Sequence, residues 1–465
     1  MTPQSAARTS APVGRWPLYS AIWRWHFYAG LFCIPFVIWL AITGSIYLFR
    51  PQIEAWLDKP YDQLSMRDAG LSGERRISAA LAAVPGSTFL AYEIPLSQQS
   101  AQRVIVGKDA YQYRVYVHPG TAAILNVARE DQRPMRQLFY LHGELGLGNK
   151  GSMAVELAAS WAIIMILSGL FLWWPRPALR LAGALFPRLN HGKRTFWRDL
   201  HAVTGLWVSF FALFLLLTGL PWAKSWGGYL KAVRKVTSRV AVTQDWTTGK
   251  SSEMADQLAV TKATAAAAEH ADHMAAGSLN HSGTTSLAAI DTMIATVAPL
   301  HLAYPVLISP PRKANGPWTA RSDSPNRMLR SELELDAASG RILSRVNFPQ
   351  RNWMDRVVGI GVSAHEGQLF GLVNQLLGVF TALGLILICV SAVVLWWRRR
   401  PVGVLGAPPQ SAQSGVSYWP VSPVAILAVY LPLLGLSMMG VFLIERLLLR
   451  RIPKASRWLG LQAAS

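Results

Sequence analysis

Residues 23–49 read WRWHFYAGLFCIPFVIWLAITGSIYLF, with Arg24 as the one charged side chain. About 20 apolar residues suffice to cross a bilayer, so this stretch predicts a transmembrane helix. It is too long for a signal-peptide core and no obvious small-residue cleavage site follows it, which indicates a retained anchor. Four further segments have the same character: 153–174, 201–222, 369–397 and 424–444.

Composition agrees with a polytopic membrane protein. Of the 465 residues, 51% are hydrophobic and 15% are charged, against roughly 25% charged residues in soluble domains. The net charge of +20 does not indicate nucleic-acid binding, because much of it flanks the apolar segments, where basic residues set topology. Cys33 and Cys389 both lie in apolar runs and no C-x-x-C-H motif is present, so neither a disulfide framework nor a covalently attached haem is expected.

Basic residues at the ends of the spans predict the orientation. They are Arg8, Arg15 and Arg24 at the first span, and Arg398, Arg399 and Arg400 after the fourth. The loop between the second and third spans is also basic. By the positive-inside rule these regions, including the N-terminus, face the cytoplasm, and the two long loops lie outside.

The predicted fold class is an α-helical membrane bundle of four core spans in two parallel repeats, a probable fifth segment, and α+β domains outside the membrane. Strand–turn–strand patterns at 115–127 and 333–343 indicate a hairpin in each outer loop. The expected order is a cytoplasmic N-terminus (1–22), first span (23–50), outer domain (51–141), second span with an outer extension (142–174), cytoplasmic loop (175–197), third span (198–222), second outer domain (223–364), fourth span with an outer extension (365–397), cytoplasmic loop (398–420), and a fifth span or interfacial segment with the tail (421–465).

The fifth segment conflicts with this orientation. Crossing from the cytoplasm would place five basic residues outside: Arg446, Arg450, Arg451, Lys454 and Arg457. Either a late segment tolerates this reversal, or the segment is a re-entrant or interfacial element.

An internal repeat places four histidines in matched positions. The first copy contains His26, Gly30, Thr43 and Gly44, and the second contains His201, Gly205, Thr218 and Gly219, at identical offsets of 4, 17 and 18. His142 and His365 each lie 31 residues before a Trp-Trp pair. Because equivalent spans run in the same direction, the two halves are expected to relate by an axis along the membrane normal.

This symmetry predicts two histidine pairs. His26 and Gly44 lie about 27 Å apart along a helix, nearly the full thickness of the hydrocarbon core. A histidine near one face of the membrane and a histidine near the other therefore cannot bind the same iron. The pairs are therefore His26 with His201 on the cytoplasmic side and His142 with His365 on the outer side. Facing helices commonly hold cofactors in this way, and two axial imidazoles saturate haem iron and favour electron transfer. The expected cofactors are two non-covalent b-type haems, with the iron held through the four histidines.

Further residues complete the candidate cofactor site on the cytoplasmic side. Gly30 and Gly205, one turn from each histidine, would let a porphyrin approach the backbone. Arg24 and Arg198 are predicted to pair with propionates. No catalytic side chain is assigned.

Several motifs in sequence carry a resemblance to a known family. They are Trp23-Arg24-Trp25-His26, Leu141-His142-Gly143-Glu144-Leu145, Ser168-Gly169-Leu170-Phe171-Leu172-Trp173-Trp174-Pro175-Arg176, and His365 with its following span. In this order they resemble PepSY-associated transmembrane proteins over roughly residues 20–400. The stretch 116–125 is similar to the PepSY hairpin, with His118 where aspartate is usual. The resemblance implies that 51–141 and 223–364 are PepSY-like periplasmic domains.

The family includes iron-regulated inner-membrane proteins, some similar to haem-containing ferrisiderophore reductases of Gram-negative bacteria. The resemblance implies a transmembrane haem-dependent oxidoreductase of the bacterial inner membrane. It would carry electrons to the periplasm and reduce Fe(III) held by a siderophore or another periplasmic acceptor. No nucleotide-binding motif is present, so a quinol or a separate cytoplasmic reductase is the expected donor.

Two other classes of function remain open: a permease for iron chelates, for which parallel repeats are equally natural, and a PepSY binding or inhibitory module on a membrane anchor. The Ala/Ser/Gly-rich stretch 262–286 contains His270, His273 and His281. Its composition favours a solvated loop over a metal site.

A basic run could attract an anionic ferric siderophore or form a solvated or lipid-facing surface. This run comprises Arg312, Lys313, Arg321, Arg327 and Arg330.

Overall fold

The computed structural model describes residues 17–65, 70–174, 182–237, 287–311, 316–408 and 421–461. The chain divides into two compact units. The helical unit comprises Met1–Ala41, Glu156–Leu216 and Leu383–Ser465, and the sheet unit comprises Ile42–Val155 and Leu217–Ala382. The predicted flexible stretch 262–286, with its three histidines, lies outside the described residues.

The described helices and strands follow one another along the chain. The helices are α1 (Pro17–Tyr47), α2 (Arg50–Asp58), α3 (Gly73–Ala83), α4 (Pro134–Glu144), α5 (Gly148–Trp173), α6 (Gly192–Gly219), α7 (Lys224–Thr237), α8 (Ala289–Val297), α9 (Trp353–His365), α10 (Leu372–Arg399), α11 (Val421–Tyr430), α12 (Pro432–Leu447) and α13 (Pro453–Leu459). The strands are β1 (Thr88–Glu93), β2 (Gln102–Lys108), β3 (Tyr111–Val117), β4 (Ile124–Arg129), β5 (Val306–Ser309), β6 (Trp318–Ser322), β7 (Ser331–Leu335) and β8 (Ile342–Asn347).

Five stretches of helix in the described chain are long and apolar enough to cross a membrane. They are Tyr19–Tyr47, Gly148–Trp173, Gly192–Trp222, Leu372–Arg399 and Pro432–Arg451. Each has at least 20 residues, which at about 1.5 Å per residue covers a hydrocarbon core of about 30 Å. The prediction of a multi-pass helical membrane protein with an α+β part is confirmed.

The segments 142–174 and 365–397 are each interrupted near their outer end. Helix α4 ends two residues after His142, and Leu145 and Gly146 then take left-handed backbone angles before α5 begins. Helix α9 ends at His365, and Gly367 follows with a positive φ before α10. Glycine adopts such angles at little cost. Each of these histidines therefore sits at the end of a short helix, separate from the long helix that follows it.

An antiparallel sheet of eight strands dominates the sheet unit. Its order is β4-β3-β2-β1-β5-β6-β7-β8, so two four-stranded meanders join edge to edge. At the seam, Tyr92 pairs with Ile308 and Glu93 with Leu307. Both predicted hairpins are confirmed, as β3–β4 and β7–β8. Helices α3 and α8 pack on the sheet through Ile77, Ile290 and Met293, which belong to one fully buried apolar core.

A buried charge network crosses this seam. Glu93 at the end of β1 is 2% exposed. It accepts hydrogen bonds from Arg114 (2.5 Å) on β3 and from the hydroxyl of Tyr304, which precedes β5. Arg103 on β2 is equally buried, lies 3.8 Å from Glu93, and donates to Asp62 at 2.8 Å. Because Tyr304 comes from the second meander and the arginines from the first, Glu93 links the two halves of the sheet.

The two ends of the C-terminal segment of the helical unit lie close together. The backbone N–H of Leu405 donates to the carbonyl of Trp458 at 2.9 Å. The Arg24 guanidinium donates to the carbonyls of Pro408 and Gly460. The two ends of the stretch that contains α11 and α12 therefore meet, beside the N-terminal part of α1.

Helices α11 and α12 are separated by a sharp bend at Leu431. A Cβ atom on Gly435 would lie 2.8 Å from the carbonyl oxygen of Ala428, whereas seven residues span about 10 Å in a straight helix. The chain therefore changes direction at Leu431, between two ends that meet at Leu405 and Trp458. The crossing and the re-entrant alternatives for the fifth segment both stay predictions.

Candidate functional site

The rings of His26 and His201 face one another within the helical unit. Their centroids lie 6.4 Å apart and their planes are nearly perpendicular, at 80°. His26 is on α1 and His201 on α6, one residue from each half of the repeat. The pair predicted from the matched offsets is therefore brought together.

Both rings are oriented through Nδ1. In His26 this atom lies 3.0 Å from the carbonyl oxygen of Met165 and 3.0 Å from Oγ of Ser168. In His201 it lies 3.2 Å from the carbonyl of Ile388 and 3.2 Å from Oγ of Ser391. Because a carbonyl only accepts, Nδ1 carries the hydrogen and Nε2 keeps its lone pair. This is the arrangement of metal-binding histidines, whose other nitrogen donates to a carbonyl or carboxylate.

The separation of the two rings fits a single iron between them. An imidazole nitrogen binds a transition metal at about 2 Å, and each ring centre lies roughly 1 Å behind its nitrogen. Two such ligands on opposite sides of one metal have centroids about 6 Å apart. The 6.4 Å between the rings of His26 and His201 matches this value, so the two residues fit as ligands that would hold one iron.

The outer pair, His142 and His365, is held by threonines in the sheet unit. Nδ1 of His142 lies 2.9 Å from Oγ1 of Thr43 on α1, and Nδ1 of His365 lies 2.9 Å from Oγ1 of Thr218 on α6. Burial and then the neighbouring His365 ring lower the pKa of His142 to about 4. The imidazole of His142 is therefore neutral at physiological pH, the form that binds a metal.

Glycines bring the helix backbone close to these rings. A Cβ on Gly44 would lie 3.1 Å from Cε1 of His142, and a Cβ on Gly169 would lie 3.0 Å from Cε1 of His26. A larger residue at either position would push the ring from its place. In Thr43-Gly44 and in Ser168-Gly169, the hydroxyl thus contacts the histidine ring and the glycine lets the helix backbone approach it.

Sequence reasoning missed the serines as partners of the histidines. Ser168 lies 26 residues after His142, and Ser391 lies 26 residues after His365. The two serines share an offset, as the threonines do, and this signal was available in the sequence. The sequence could not show which histidine each serine contacts. Ser168 contacts His26 and Ser391 contacts His201, not the histidines that precede them by 26 residues.

The structure gives the predicted propionate arginines other partners. Arg24 is 7% exposed and bonds to carbonyls of the C-terminal segment and, at 3.3 Å, to the hydroxyl of Tyr28. Arg198 pairs with the neighbouring carboxylate of Asp199 at 2.9 Å. Among the predicted glycines, Gly205 has open space where a Cβ would be, whereas Gly30 faces Sδ of Met165 at 3.8 Å.

The haem sites that the sequence predicts can be tested at one orienting hydroxyl. We expect Thr43→Val to speed haem loss from the outer pair by about 10- to 100-fold, since partners of metal-binding histidines typically contribute that much affinity. The measurement is the rate of haem transfer to an excess of apomyoglobin. Thr381→Val is the matched control, because among the described residues this buried hydroxyl bonds only the carbonyl of Leu377 in its own helix. Equal rates in the two variants would contradict the role of Thr43.

Comparison with known proteins gives one family match. The model of the PepSY-associated TM region matches residues 23–399, which include most of α1, all of α5, α6 and α10, and the whole eight-stranded sheet. All four histidines lie inside the match. No curated protein matches the chain.

Proposed function

We propose a function for this chain from the fact that it belongs to the PepSY-associated transmembrane family. It is a di-haem b reductase of the bacterial inner membrane, with its N-terminus in the cytoplasm. It carries electrons from the cytoplasmic side to the periplasm, where they reduce Fe(III) held by a siderophore and release the iron.

One observation carries the proposal: two histidine pairs, each with the same kind of hydrogen bond at Nδ1 in both halves of the repeat. A single buried histidine is often satisfied by its neighbours and has no further role. Here the rings of His26 and His201 stand at the separation that one metal needs. His142 and His365 each have an Nδ1 contact with a threonine hydroxyl, at the same offset in the two halves of the repeat. Ionisable side chains in or beside membrane spans are costly and usually functional.

The chain's own residues would fix the cofactors and exclude competing chemistry. When bound, each haem supplies reversible one-electron exchange between Fe(III) and Fe(II). His26 with His201, and His142 with His365, would each hold the iron through two imidazoles, a ligand set that favours electron transfer over oxygen binding. Ser168 and Ser391 hold the tautomer of one pair, and Thr43 and Thr218 hold the rings of the other.

The structure also supports this proposal over the permease. A polar path would need hydroxyls or charges that face a channel. Three hydroxyls inside the long helices, at Ser160, Ser209 and Thr381, bond backbone carbonyls of their own helix. Four others contact histidine rings: Thr43, Ser168, Thr218 and Ser391. They are therefore placed to orient ligands. The donor would be a quinol or a separate cytoplasmic reductase.

The test is reoxidation of the reduced protein by iron chelates. Detergent-purified full-length protein would be reduced with dithionite, freed of excess reductant, and mixed without oxygen with a ferric siderophore. We expect the b-type absorbance to bleach, with one Fe(II), trapped by ferrozine, formed for each electron lost. The Ga(III) form of the same siderophore is the control, because Ga(III) accepts no electron under these conditions. Protein that holds haem but is oxidised no faster by the ferric chelate than by buffer would sink the siderophore assignment.

A further inference from the structure

Two arginines lie over aromatic rings one turn beyond the threonines of the outer pair. Tyr47 follows Thr43 by four residues and Trp222 follows Thr218 by four. The Cζ atom of Arg50 lies 5.8 Å from the Tyr47 ring centre, and that of Arg327 lies 5.5 Å from the Trp222 ring centre. The two halves of the repeat thus present matched cations next to the outer histidines, within the sheet unit.

Further arginines gather at this place. The side chain of Asp323 interacts with four of them: Arg321, Arg330, Arg327 and Arg50. Glu366, the residue after His365, attracts both Arg50 and Arg330. We call Arg50, Arg321, Arg327 and Arg330 the arginine cluster. Arg50 begins α2, Arg321 lies in β6, and Arg327 and Arg330 lie between β6 and β7, so residues about 270 to 280 positions apart in sequence come together.

The positive charge of two arginines in the cluster is not fully balanced by nearby acceptors. The guanidinium of Arg327 makes no hydrogen bond to any described residue, and its Nε is shielded from solvent. Arg330 donates to the backbone carbonyls of Ser324 and Asp323. Burial and then the nearby Arg327 lower the pKa of Arg330 to about 10. Burial favours the neutral carboxyl of Asp323, yet Arg321 and the other arginines hold its pKa below its usual range. An added anion would relieve this excess of positive charge.

The position of the cluster connects it with the outer histidine. The backbone N–H of Arg327 donates to Oγ of Ser363 at 2.9 Å, two residues before His365 on α9. Both Arg327 and Arg330 are half-buried, so a ligand from solution can reach them. The planar guanidinium fork matches a carboxylate with two parallel hydrogen bonds.

We propose that Arg50, Arg327 and Arg330 bind the carboxylate groups of an anionic ferric chelate beside the outer histidine pair. This inference rests on the proposed function, because the chelate is the electron acceptor. Carboxylates could also come from the propionates of the haem at His142 and His365. The site lies outside the membrane-spanning segments, on the side from which a soluble chelate arrives, and this location favours the chelate as their source.

The test uses Ga(III) citrate, an anionic chelate that accepts no electron, and the full-length haem-containing protein in detergent. Isothermal titration would compare wild type with Arg327→Gln and Arg330→Gln. Hydrogen bonds to charged groups contribute about 1.5–3 kcal/mol, so each variant should bind at least about 10-fold more weakly. Arg345→Gln is the matched control, because Arg345 is exposed on β8 and, within the described part of the chain, its side chain bonds only Asn347.

Each outcome separates the two proposals. Haem content is measured on every sample by the pyridine haemochrome method. Weaker Ga(III) citrate binding with haem unchanged supports the site. Loss of haem from Arg327→Gln would assign the cluster to propionates and overturn the inference. Equal binding in all variants would also overturn it. Arginine-dependent binding by a wild type that holds no haem would instead overturn the di-haem function and leave the anion site standing.

Discussion

Replacing His201 with alanine is expected to lower the haem content of the purified protein from two per chain to one. The His26 ring would then face an empty position, and a bis-histidine iron with one axial ligand removed is held far less tightly. His365→Ala should remove the other haem, and the double variant should hold none. The measurement is the pyridine haemochrome content per chain, together with the reduced-minus-oxidised spectrum of each variant.

The pairing itself is testable by combination. His26→Ala and His201→Ala should lose the same spectral component, and His142→Ala and His365→Ala should lose the other. His191→Ala is the control, since this histidine is exposed in a loop and should leave both haems in place. The assignment fails if His26→Ala and His142→Ala remove one and the same haem. It also fails if a folded wild type, grown with a haem supply, contains none.

A second large effect is expected at the seam of the sheet. Glu93→Gln leaves the guanidinium groups of Arg103 and Arg114 buried with less negative charge near them. Breaking a buried ion pair costs 3–5 kcal/mol. We expect about 3 kcal/mol here, because both arginines keep a second carboxylate, Asp62 and Glu130 respectively. The free energy of unfolding of the sheet unit would be followed by tryptophan fluorescence in denaturant.

The matched control for this variant is Glu332→Gln on β7. Glu332 lies in the same sheet but is exposed, and charges in such positions contribute little. Its effect should stay within about 0.5 kcal/mol. Similar losses in both variants would mean that the sheet responds to total charge and that Glu93 does not link its halves.

The sequence predicts the membrane part of this fold well, because the length of an apolar run is a local property. The hairpins β3–β4 and β7–β8 were also predictable, since a turn and two alternating stretches are adjacent in sequence. The joining of the two meanders was not. β1 and β5 pair through two residue pairs, and no local pattern names the partner of an edge strand.

For the site, the repeat offsets predicted which histidines belong together, and the His26–His201 contact agrees with that prediction. The hydrogen-bond partners of Arg24 could not be predicted from the sequence. Its partners at Pro408 and Gly460 depend on a bend at Leu431, and bends of this kind follow from packing. The arginine cluster was seen only in part, because Arg327 and Arg330 are neighbours in sequence whereas Arg50 joins them only in the folded chain.

The seam between β1 and β5 also bears on how the protein is made. About 210 residues separate Glu93 from Val306, and synthesis at 5–20 residues per second takes roughly 10 to 40 s to cover that distance. Throughout this interval the first meander has left the ribosome with the edge of β1 unpaired, and an unpaired edge is a template for aggregation. One half of the sheet must therefore wait with an open edge until the other half has been made, so the time between the two halves is when this protein is most exposed to pairing with other chains.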